Sequence, residues 1–395
     1  MRRVSTSCVM VALFTLVFSC SSAPPGPLDG VSGELSTPRK LLPYVVLEGG
    51  RVLAAGGHDG SRTLNSCEVY EPLLGGWRVT GALHAARRNH AAVRLADGRA
   101  MVLGGTASAS YGALASAEVY DPETGLWTLV ESMGEARDDP AAVLLPDGRV
   151  LVAGGYDVDL HPVRSAELYD PGTGHWTRTG SPLSSRGGAR TAVVLGNGQV
   201  LFVSGLQAEL YDPDSGQWSK AGLMGGAAGT LRTGHTVTLL PDGRVLVVGG
   251  TTSRAASTAE LYDPDSGEWT LAAPPLSPRE GHGALVMEDG RVLIAGGFHV
   301  TSGALASVEV YDAAADAWSV EPSLQVARRG PGLVRLEDGE ALVVGGANAL
   351  EQTLASSERY VPEACVALSC AAPGRASPPS WGVVEDVEDL VFRAR

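Results

Sequence analysis

An arginine and a glutamate recur once in every unit of about fifty residues, and both side chains could do chemistry. A guanidinium is a planar donor group that matches carboxylates and phosphates, so a ring of arginines would suit an anionic ligand. One glutamate for each arginine favours the opposite interpretation, in which the two form structural ion pairs. The residues are Arg39, Arg87, Arg137, Arg186, Arg232, Arg279 and Arg328, with Glu68, Glu118, Glu167, Glu209, Glu260, Glu309 and Glu358.

Three further arginines, Arg88, Arg190 and Arg329, lack a glutamate that repeats with them. Because an unmatched guanidinium is available to an anion or to a hydroxyl-rich ligand, these three are the better candidates for ligand binding. The repeated arginines, among them Arg232 with its glutamate Glu260, are expected to be structural.

Three histidines, His90, His235 and His282, each follow the repeat arginine of their unit by three residues. Imidazole is a common metal ligand, and the three are also candidates for ligand contacts. They belong to three different units, however, so we expect neither a metal site nor a cofactor. The sequence also lacks G-x-S-x-G, a P-loop and H-E-x-x-H, which favours a binding protein over an enzyme.

Two apolar runs flank a short turn in every unit, as residues 235–250 show best. Such runs are typical of a β-hairpin, and Asp-Gly suggests a type I′ turn. The second run ends in paired glycines, such as Gly249 and Gly250. The turns are Asp97-Gly98, Asp147-Gly148, Asn197-Gly198, Asp242-Gly243, Asp289-Gly290 and Asp338-Gly339, with a weaker copy at Gly49-Gly50.

Two more strands follow in each unit, because a tyrosine recurs and a tryptophan lies seven residues after it in the first six units. An Asp-Pro-x-x-Gly turn separates Tyr120 from Trp127 and most of the other pairs. Each unit therefore predicts four antiparallel strands. The pairs are Tyr70 and Trp77, Tyr120 and Trp127, Tyr169 and Trp176, Tyr211 and Trp218, Tyr262 and Trp269, and Tyr311 and Trp318, followed by a diverged copy at Tyr360.

Paired glycines, then a tyrosine, then a tryptophan resemble the kelch repeat over residues 31–362. The resemblance implies an all-β fold: a seven-bladed β-propeller of four-stranded antiparallel kelch-type blades, with the topology of the central domain of galactose oxidase. Radial packing covers the faces that a single sheet leaves exposed. An aromatic residue at a fixed place in every blade is expected in the core rather than on a ligand.

The ring must also close, and the last unit has no tryptophan near position 367. Residues 31–35 match residues 79–83, which stand in fourth-strand position. We therefore predict that the N-terminal segment completes the seventh blade. The tail at 363–395 is the alternative source of that strand.

The N-terminal residues 1–19 have the pattern of an export signal, with Arg2 and Arg3 before an apolar run too short to span a bilayer. The end of the run resembles a bacterial lipobox, which implies lipidation of Cys20 and a linker at 20–30. Phe18 departs from that motif, so ordinary signal cleavage stays open. Ser21 indicates an outer-membrane or cell-surface lipoprotein, with the periplasm or secretion as alternatives.

Cleavage would lower the formal net charge from −14 to −16, which disfavours a nucleic-acid partner. Cys365 and Cys370 are close enough in sequence for a disulfide in an oxidising compartment. Cys67 occupies a position that is alanine in most other units, so we expect a buried free thiol. The same argument disfavours the copper and the tyrosine–cysteine cross-link that galactose-oxidase-like enzymes use.

The loops that follow the paired glycines vary from unit to unit and are expected to collect on one face. We therefore expect a monomeric binding module that presents this face to a protein or glycan partner, with a lipid anchor as its membrane contact. The alternative is a carbohydrate-active enzyme that resembles the kelch-type sialic acid mutarotases or, less closely, galactose oxidase.

Overall fold

The computed structural model describes residues 31–107, 112–184, 191–204, 207–224, 232–250 and 257–361. The signal segment, Cys20, Arg190, and the tail with Cys365 and Cys370 lie outside these ranges. The described residues form thirty β-strands and no α-helix, with one 3-10 turn at Glu48–Gly50. A search of the same residues for a helix with the length and apolarity of a membrane span finds none.

Seven antiparallel sheets form the blades and follow one another along the chain, and the innermost strand of each blade is the first strand of its repeat. Blade one contains β2 (Tyr44–Val46), β3 (Val52–Ala55), β4 (Cys67–Glu71) and β5 (Gly76–Thr80), preceded by β1 (Val31–Ser32). Blade two contains β6 (Ala91–Arg94), β7 (Ala100–Leu103), β8 (Ala117–Asp121) and β9 (Leu126–Leu129). Blade three contains β10 (Ala141–Leu144), β11 (Val150–Ala153), β12 (Ala166–Asp170) and β13 (His175–Arg178).

The remaining blades repeat this plan. Blade four contains β14 (Ala192–Val194), β15 (Val200–Ser204), β16 (Gln207–Asp212) and β17 (Gln217–Leu223), and blade five contains β18 (Thr236–Leu239), β19 (Val245–Val248), β20 (Ala259–Asp263) and β21 (Glu268–Ala272). Blade six contains β22 (Gly283–Val286), β23 (Val292–Ala295), β26 (Val308–Asp312) and β27 (Ala317–Glu321), with a hairpin of β24 (Phe298–His299) and β25 (Gly303–Ala304). Blade seven contains β28 (Gly332–Arg335), β29 (Ala341–Val344) and β30 (Ser357–Tyr360).

The hairpin between the first two strands of a blade turns in three residues, not in the two residues of a type I′ turn. In blade five, Gly243 N–H donates to Leu240 O at 3.0 Å and Leu240 N–H donates to Arg244 O at 2.8 Å. Only the glycine has a positive φ, 88°. The type I′ expectation was wrong because Pro241 fixes a negative φ at the first turn position, which gives a type I turn closed by a glycine bulge.

The core consists of clusters between neighbouring blades. One cluster joins Leu53 and Val69 of blade one to Tyr120 and Trp127 of blade two. Trp127 also donates its indole N–H across the interface to Gly81 O, at 3.0 Å. The tryptophan that the repeat carries thus packs in the core and satisfies its one donor there.

The ring closes through contacts between the first and last blades. The innermost strand β28 lies beside β2, and a further core cluster joins Val52 and Trp77 of blade one to Leu342 and Val344 of blade seven. All seven interfaces therefore exist, and the seven-bladed β-propeller predicted from the sequence is confirmed.

The N-terminal segment joins blade seven only in part. Leu35 and Arg39 donate backbone N–H groups to Ala355 O and Leu354 O, at 3.0 and 3.1 Å, as their counterparts in blade one do. The strand β1, however, pairs with β5 of blade one and not with β30. Its predicted place as the fourth strand of blade seven is therefore wrong. In the described part of the chain, β30 has no partner on its outer edge.

Candidate functional site

The repeat arginines that the structure describes are buried, and each donates from Nη2 to the glutamate of its own repeat. Arg87 donates from Nη1 to Gly104 O at 2.8 Å and to Ser116 O at 3.1 Å, and from Nη2 to Ser116 Oγ and to Glu118 Oε1 at 2.7 Å. A ligand cannot reach these guanidinium groups. The ion pairs are Arg39 with Glu68, Arg87 with Glu118, Arg137 with Glu167, Arg232 with Glu260, Arg279 with Glu309 and Arg328 with Glu358.

Wherever the structure describes the loop that enters a blade, the repeat glutamate of that blade also holds this loop. The Glu118 carboxylate accepts the backbone N–H of His84 at 2.8 Å and that of Ala85 at 3.2 Å. Burial by itself would raise the pKa of Glu118, but the hydrogen bonds from His84 and Arg87 keep this pKa below its ordinary value. The carboxylate is therefore ionised and structural.

The residue after each repeat arginine pairs with the residue after the paired glycines in an isolated antiparallel bridge. In blade two, Arg88 and Thr106 exchange two backbone hydrogen bonds, of 3.1 and 2.8 Å. We call these bridges the mouth pairs. Their side chains differ in charge and shape from one blade to the next. They are Lys40 with His58, Arg88 with Thr106, Asp138 with Tyr156, Glu280 with Phe298, and Arg329 with Ala347.

A second ring joins successive blades just inside the mouth pairs. Asn89 N–H donates to Leu41 O at 2.9 Å, and Asp139 N–H donates to Asn89 O at 3.0 Å. The same contact recurs from Gly281 to Gly234 and from Gly330 to Gly281, at 2.7 and 2.8 Å. Because each of these residues precedes an innermost strand, the ring surrounds the mouth of the central channel. Its members in the described part of the chain are Leu41, Asn89, Asp139, Gly234, Gly281 and Gly330, and all have positive φ.

The mouth therefore carries charges of both signs in an uneven order. Lys40 and Arg88 make the side of blades one and two basic, whereas Asp138 and Asp139 make that of blade three acidic. Blades six and seven contribute Glu280 and Arg329, discussed next.

Arg329 has partners that the sequence did not reveal. Its Nη2 lies 3.1 Å from Glu280 Oε1 and its Nη1 lies 3.7 Å from Glu351 Oε1. Its guanidinium carbon stands 4.4 Å from the centre of the Phe298 ring. The sequence gave no signal for this cluster, because none of the three partners recurs in the other blades. Arg88 belongs to a mouth pair, and Arg190 lies outside the described residues.

The histidines lie at the inner ends of the blades and are buried. His235 Nε2 contacts Thr191 Oγ1 of blade four at 3.1 Å, and His282 Nε2 contacts Thr236 Oγ1 of blade five at 2.9 Å. Burial and the charge of Arg232 lower the pKa of His235 to about 4, and burial with Arg279 lowers the pKa of His282 to about 3. In the folded protein both imidazoles are neutral and link adjacent blades.

A comparison with known families supports the repeat assignment. The family model of the kelch motif matches residues 87–134, 140–183, 232–276 and 278–325. The protein is a kelch-repeat β-propeller. The propeller is similar to a solved fungal alcohol oxidase of the AA5 family in complex with copper, with a TM-score of 0.69, 20% identity, and coverage of 84% of this chain and 76% of that one. This similarity shows the fold. A search of curated proteins found no match.

Among the described residues, the thiol and the one cluster with metal-ligand spacing do not fit a copper ion like the one bound by that oxidase. Cys67 is a free thiol buried among Leu83 and Trp127, and burial raises its pKa to about 11. The described residues contain one cluster with metal-ligand spacing, Asp157, Asp159 and His161, on an exposed loop of blade three. It offers a single imidazole, whereas copper favours several nitrogen donors. The Asp157 carboxylate already accepts backbone N–H groups of the loop, at 2.9 and 2.8 Å.

The buried ion pairs lead to a stability prediction. Arg87→Ala should lower the free energy of unfolding by about 3 to 5 kcal/mol, because Glu118 would keep a buried charge without its partner. Denaturant unfolding measures the change. Arg62→Ala is the matched control: that arginine is 77% exposed in its ion pair with Asp59, so its loss should cost about 1 kcal/mol or less. Equal effects of the two substitutions would contradict the structural assignment.

The buried histidines predict a pH dependence. As the pH falls below 6.5, a histidine of the unfolded chain binds a proton, whereas His235 and His282 resist protonation down to about 4 and 3. The contribution of the two neutral histidines to the free energy of unfolding is therefore fully present above pH 6.5. It decreases toward pH 4, by up to about 1.4 kcal/mol per pH unit for each histidine. The double substitution His235→Gln/His282→Gln should flatten this slope in denaturant unfolding between pH 7 and 4.5. An unchanged slope would show that other groups cause it.

Proposed function

We propose that this propeller is a binding module that holds a protein or glycan partner on its loop face, centred on the channel mouth. One observation carries the proposal. The groups that repeat in every blade are consumed by internal contacts, while the groups that differ between blades gather at the mouth in the mouth pairs. A constant scaffold with varied side chains at one end is the arrangement of many binding proteins.

Apolar side chains at the loop tips support this proposal. Val158 and Leu160 stand on the blade-three loop, Val300 on the β24–β25 hairpin and Leu350 on the blade-seven loop. All four are exposed, and each loop begins at a mouth pair, so they surround the same face. Exposed apolar residues next to charged ones suit a partner that buries part of this face.

A carbohydrate-active enzyme is the second candidate. Arg88 and Asp138 occupy the same repeat position in adjacent blades, and the hydrogen bond from Asp139 N–H to Asn89 O holds those blades together at the mouth. A guanidinium and carboxylates beside a channel are the groups that a mutarotase-like reaction on a sugar would use. Ring interconversion or turnover of a bound sugar would favour this candidate over binding alone.

We also propose that the protein is exported and anchored in a membrane through Cys20, as an outer-membrane or cell-surface lipoprotein. The observations that support this are the short apolar run after Arg2 and Arg3 and the lipobox-like residues before Cys20. A multiply acylated cysteine holds a protein stably on a membrane.

The anchor predicts a change in fractionation. Cys20→Ser removes the thiol that would carry the lipid, so the variant should leave the membrane fraction and appear in the soluble fraction, measured by immunoblot after cell fractionation. Cys67→Ser, which changes a buried thiol of the propeller, is the control and should stay with membranes. Membrane association of Cys20→Ser after a salt wash would refute the lipoprotein proposal.

The binding proposal predicts which substitutions matter. The soluble chain from residue 28 is screened against a glycan array and a metabolite library, and each hit is retested with two variants. Arg88→Ala/Arg329→Ala should weaken binding by about tenfold or more, because two charged mouth groups are lost. The control Val320→Ser changes an exposed residue of the outer strand β27 and should bind as the parent does. A ligand whose binding is weakened by Val320→Ser and not by Arg88→Ala/Arg329→Ala would contradict the proposal.

A further inference from the structure

The mouth has an open floor beside blades six and seven. A Cβ atom added at Gly330 would meet no other atom within 4 Å, and one added at Gly281 would meet only Gly330 N, at 3.9 Å. The paired glycines behave differently, since a Cβ at Gly297 would lie 2.9 Å from Glu280 O. Gly281 and Gly330 thus leave space that a ligand can occupy, whereas Gly297 is required by close packing.

One wall of this space is a stacked cluster with a fixed geometry. The Arg329 guanidinium lies over the Phe298 ring at 4.4 Å and pairs with Glu280 at 3.1 Å. Phe298 and Glu280 also exchange backbone hydrogen bonds of 2.8 and 3.0 Å, which hold the two side chains next to each other. Cation–π contact and ion pairing together set the plane of the guanidinium. We name Glu280, Gly281, Phe298, Arg329 and Gly330 the blade-six niche.

The blade-six niche has more hydrogen-bond donors and acceptors than its internal contacts occupy. A guanidinium has five N–H donors, and the ion pairs with Glu280 and Glu351 occupy one nitrogen each in the described structure. Glu280 Oε1 receives Arg329, which leaves the other carboxylate oxygen as an acceptor. Donors and acceptors side by side match neighbouring hydroxyl groups, each of which both donates and accepts.

The charge of the niche selects against anions. Arg329 faces two carboxylates, Glu280 and Glu351, so the cluster as a whole carries a negative charge. A ligand carboxylate or phosphate placed there would meet like charge without a free cation to receive it. This differs from the expectation that Arg329 serves an acidic ligand, because that expectation assumed an unmatched guanidinium.

We propose that the blade-six niche binds a neutral, hydroxyl-rich sugar ring, which lies over Gly281 and Gly330 and contacts Phe298 and the Glu280–Arg329 pair. The apolar ring face of the sugar packs against Phe298, and its neighbouring hydroxyls bond to the carboxylate and the guanidinium. This inference rests on the proposed binding function and narrows its ligand to one chemical class.

The test uses isothermal titration of the soluble chain from residue 28 with neutral cello-, malto-, xylo- and manno-oligosaccharides, and with glucuronate and sialic acid as acidic probes. At least one neutral series should bind, with an affinity that changes less than about twofold between low and high salt, because no ligand charge is screened. Phe298→Ala and Glu280→Gln should each weaken that binding by about tenfold. The control Val320→Ser, on the outer strand β27 of the same blade, should leave it within about twofold of the parent.

A second variant tests the floor without removing a contact. Gly330→Asn introduces a residue that tolerates the positive φ of this position and adds a side chain in the open space. The variant should therefore lose sugar binding, while its melting temperature shows a folded propeller. The inference is overturned if no neutral sugar binds at millimolar concentration, if only the acidic sugars bind, or if Phe298→Ala and Gly330→Asn bind as the parent does. A partner lost in Arg88→Ala/Arg329→Ala but retained in Phe298→Ala would leave the binding function standing and refute the sugar niche alone.

Discussion

The buried arginine–glutamate pair is the interaction on which the propeller depends. Removing two charges from water is costly, and the cost is offset only when the remaining donors and acceptors are also satisfied. Arg87 meets this condition at its two terminal nitrogens, which donate to Gly104 O, Ser116 O, Ser116 Oγ and Glu118, whereas its buried Nε has no hydrogen-bond partner among the described residues. Glu118 in turn receives the loop that enters the blade. One pair thus fixes the end of the second strand, the start of the third and the entry loop at a single point.

That point also positions the residues of the channel mouth. The mouth pairs come one residue after the arginine and one residue after the paired glycines, so their backbone is set by contacts that do not involve their side chains. Side chains can then differ from blade to blade at little cost to the fold. The result is a polar mouth that is basic near blades one and two, acidic near blade three, and occupied near blade six by the cluster of Glu280, Phe298 and Arg329.

Repetition explains which features the sequence could predict. Seven copies of a turn and a tyrosine, with six of a glycine pair and a tryptophan, were enough to establish strands, blade number and ring order. They also indicated the pairing of Arg232 with Glu260, since both recur in register. Side-chain contacts between residues that do not recur in every unit could not be predicted in this way. Arg329 contacts Glu280 of the preceding blade through residues that no other blade repeats. The histidine–threonine contact occurs in two places in the described part of the chain, at His235 with Thr191 and at His282 with Thr236.

The predicted pairing of the N-terminal strand was wrong for a related reason. Residues 31–35 match a fourth strand in sequence, and the match predicted correctly that Leu35 contacts blade seven. Pairing of β1 depends on the neighbouring blade as well, because Ser357 Oγ lies between Trp77 Nε1, at 3.1 Å, and Gly33 O, at 3.3 Å. These contacts hold Gly33 at the junction of the first and last blades, from which the preceding residues reach the free edge of β5.

Backbone strain is distributed unevenly around the mouth, and the difference has a physical meaning. Blades five to seven place glycine at the left-handed position of the inner ring, whereas blades one to three place Leu41, Asn89 and Asp139 there. Asparagine and aspartate tolerate this conformation, but leucine does so at a cost of about 1 to 2 kcal/mol. The interface contacts hold Leu41 in that conformation with its side chain exposed at the mouth. Strain of this kind persists where the surroundings over-determine the backbone and is concentrated at functional sites. The side of blades one to three therefore carries fixed side chains and the side of blades six and seven leaves open space, so under the proposed binding function the two halves of the ring would contact different parts of a ligand.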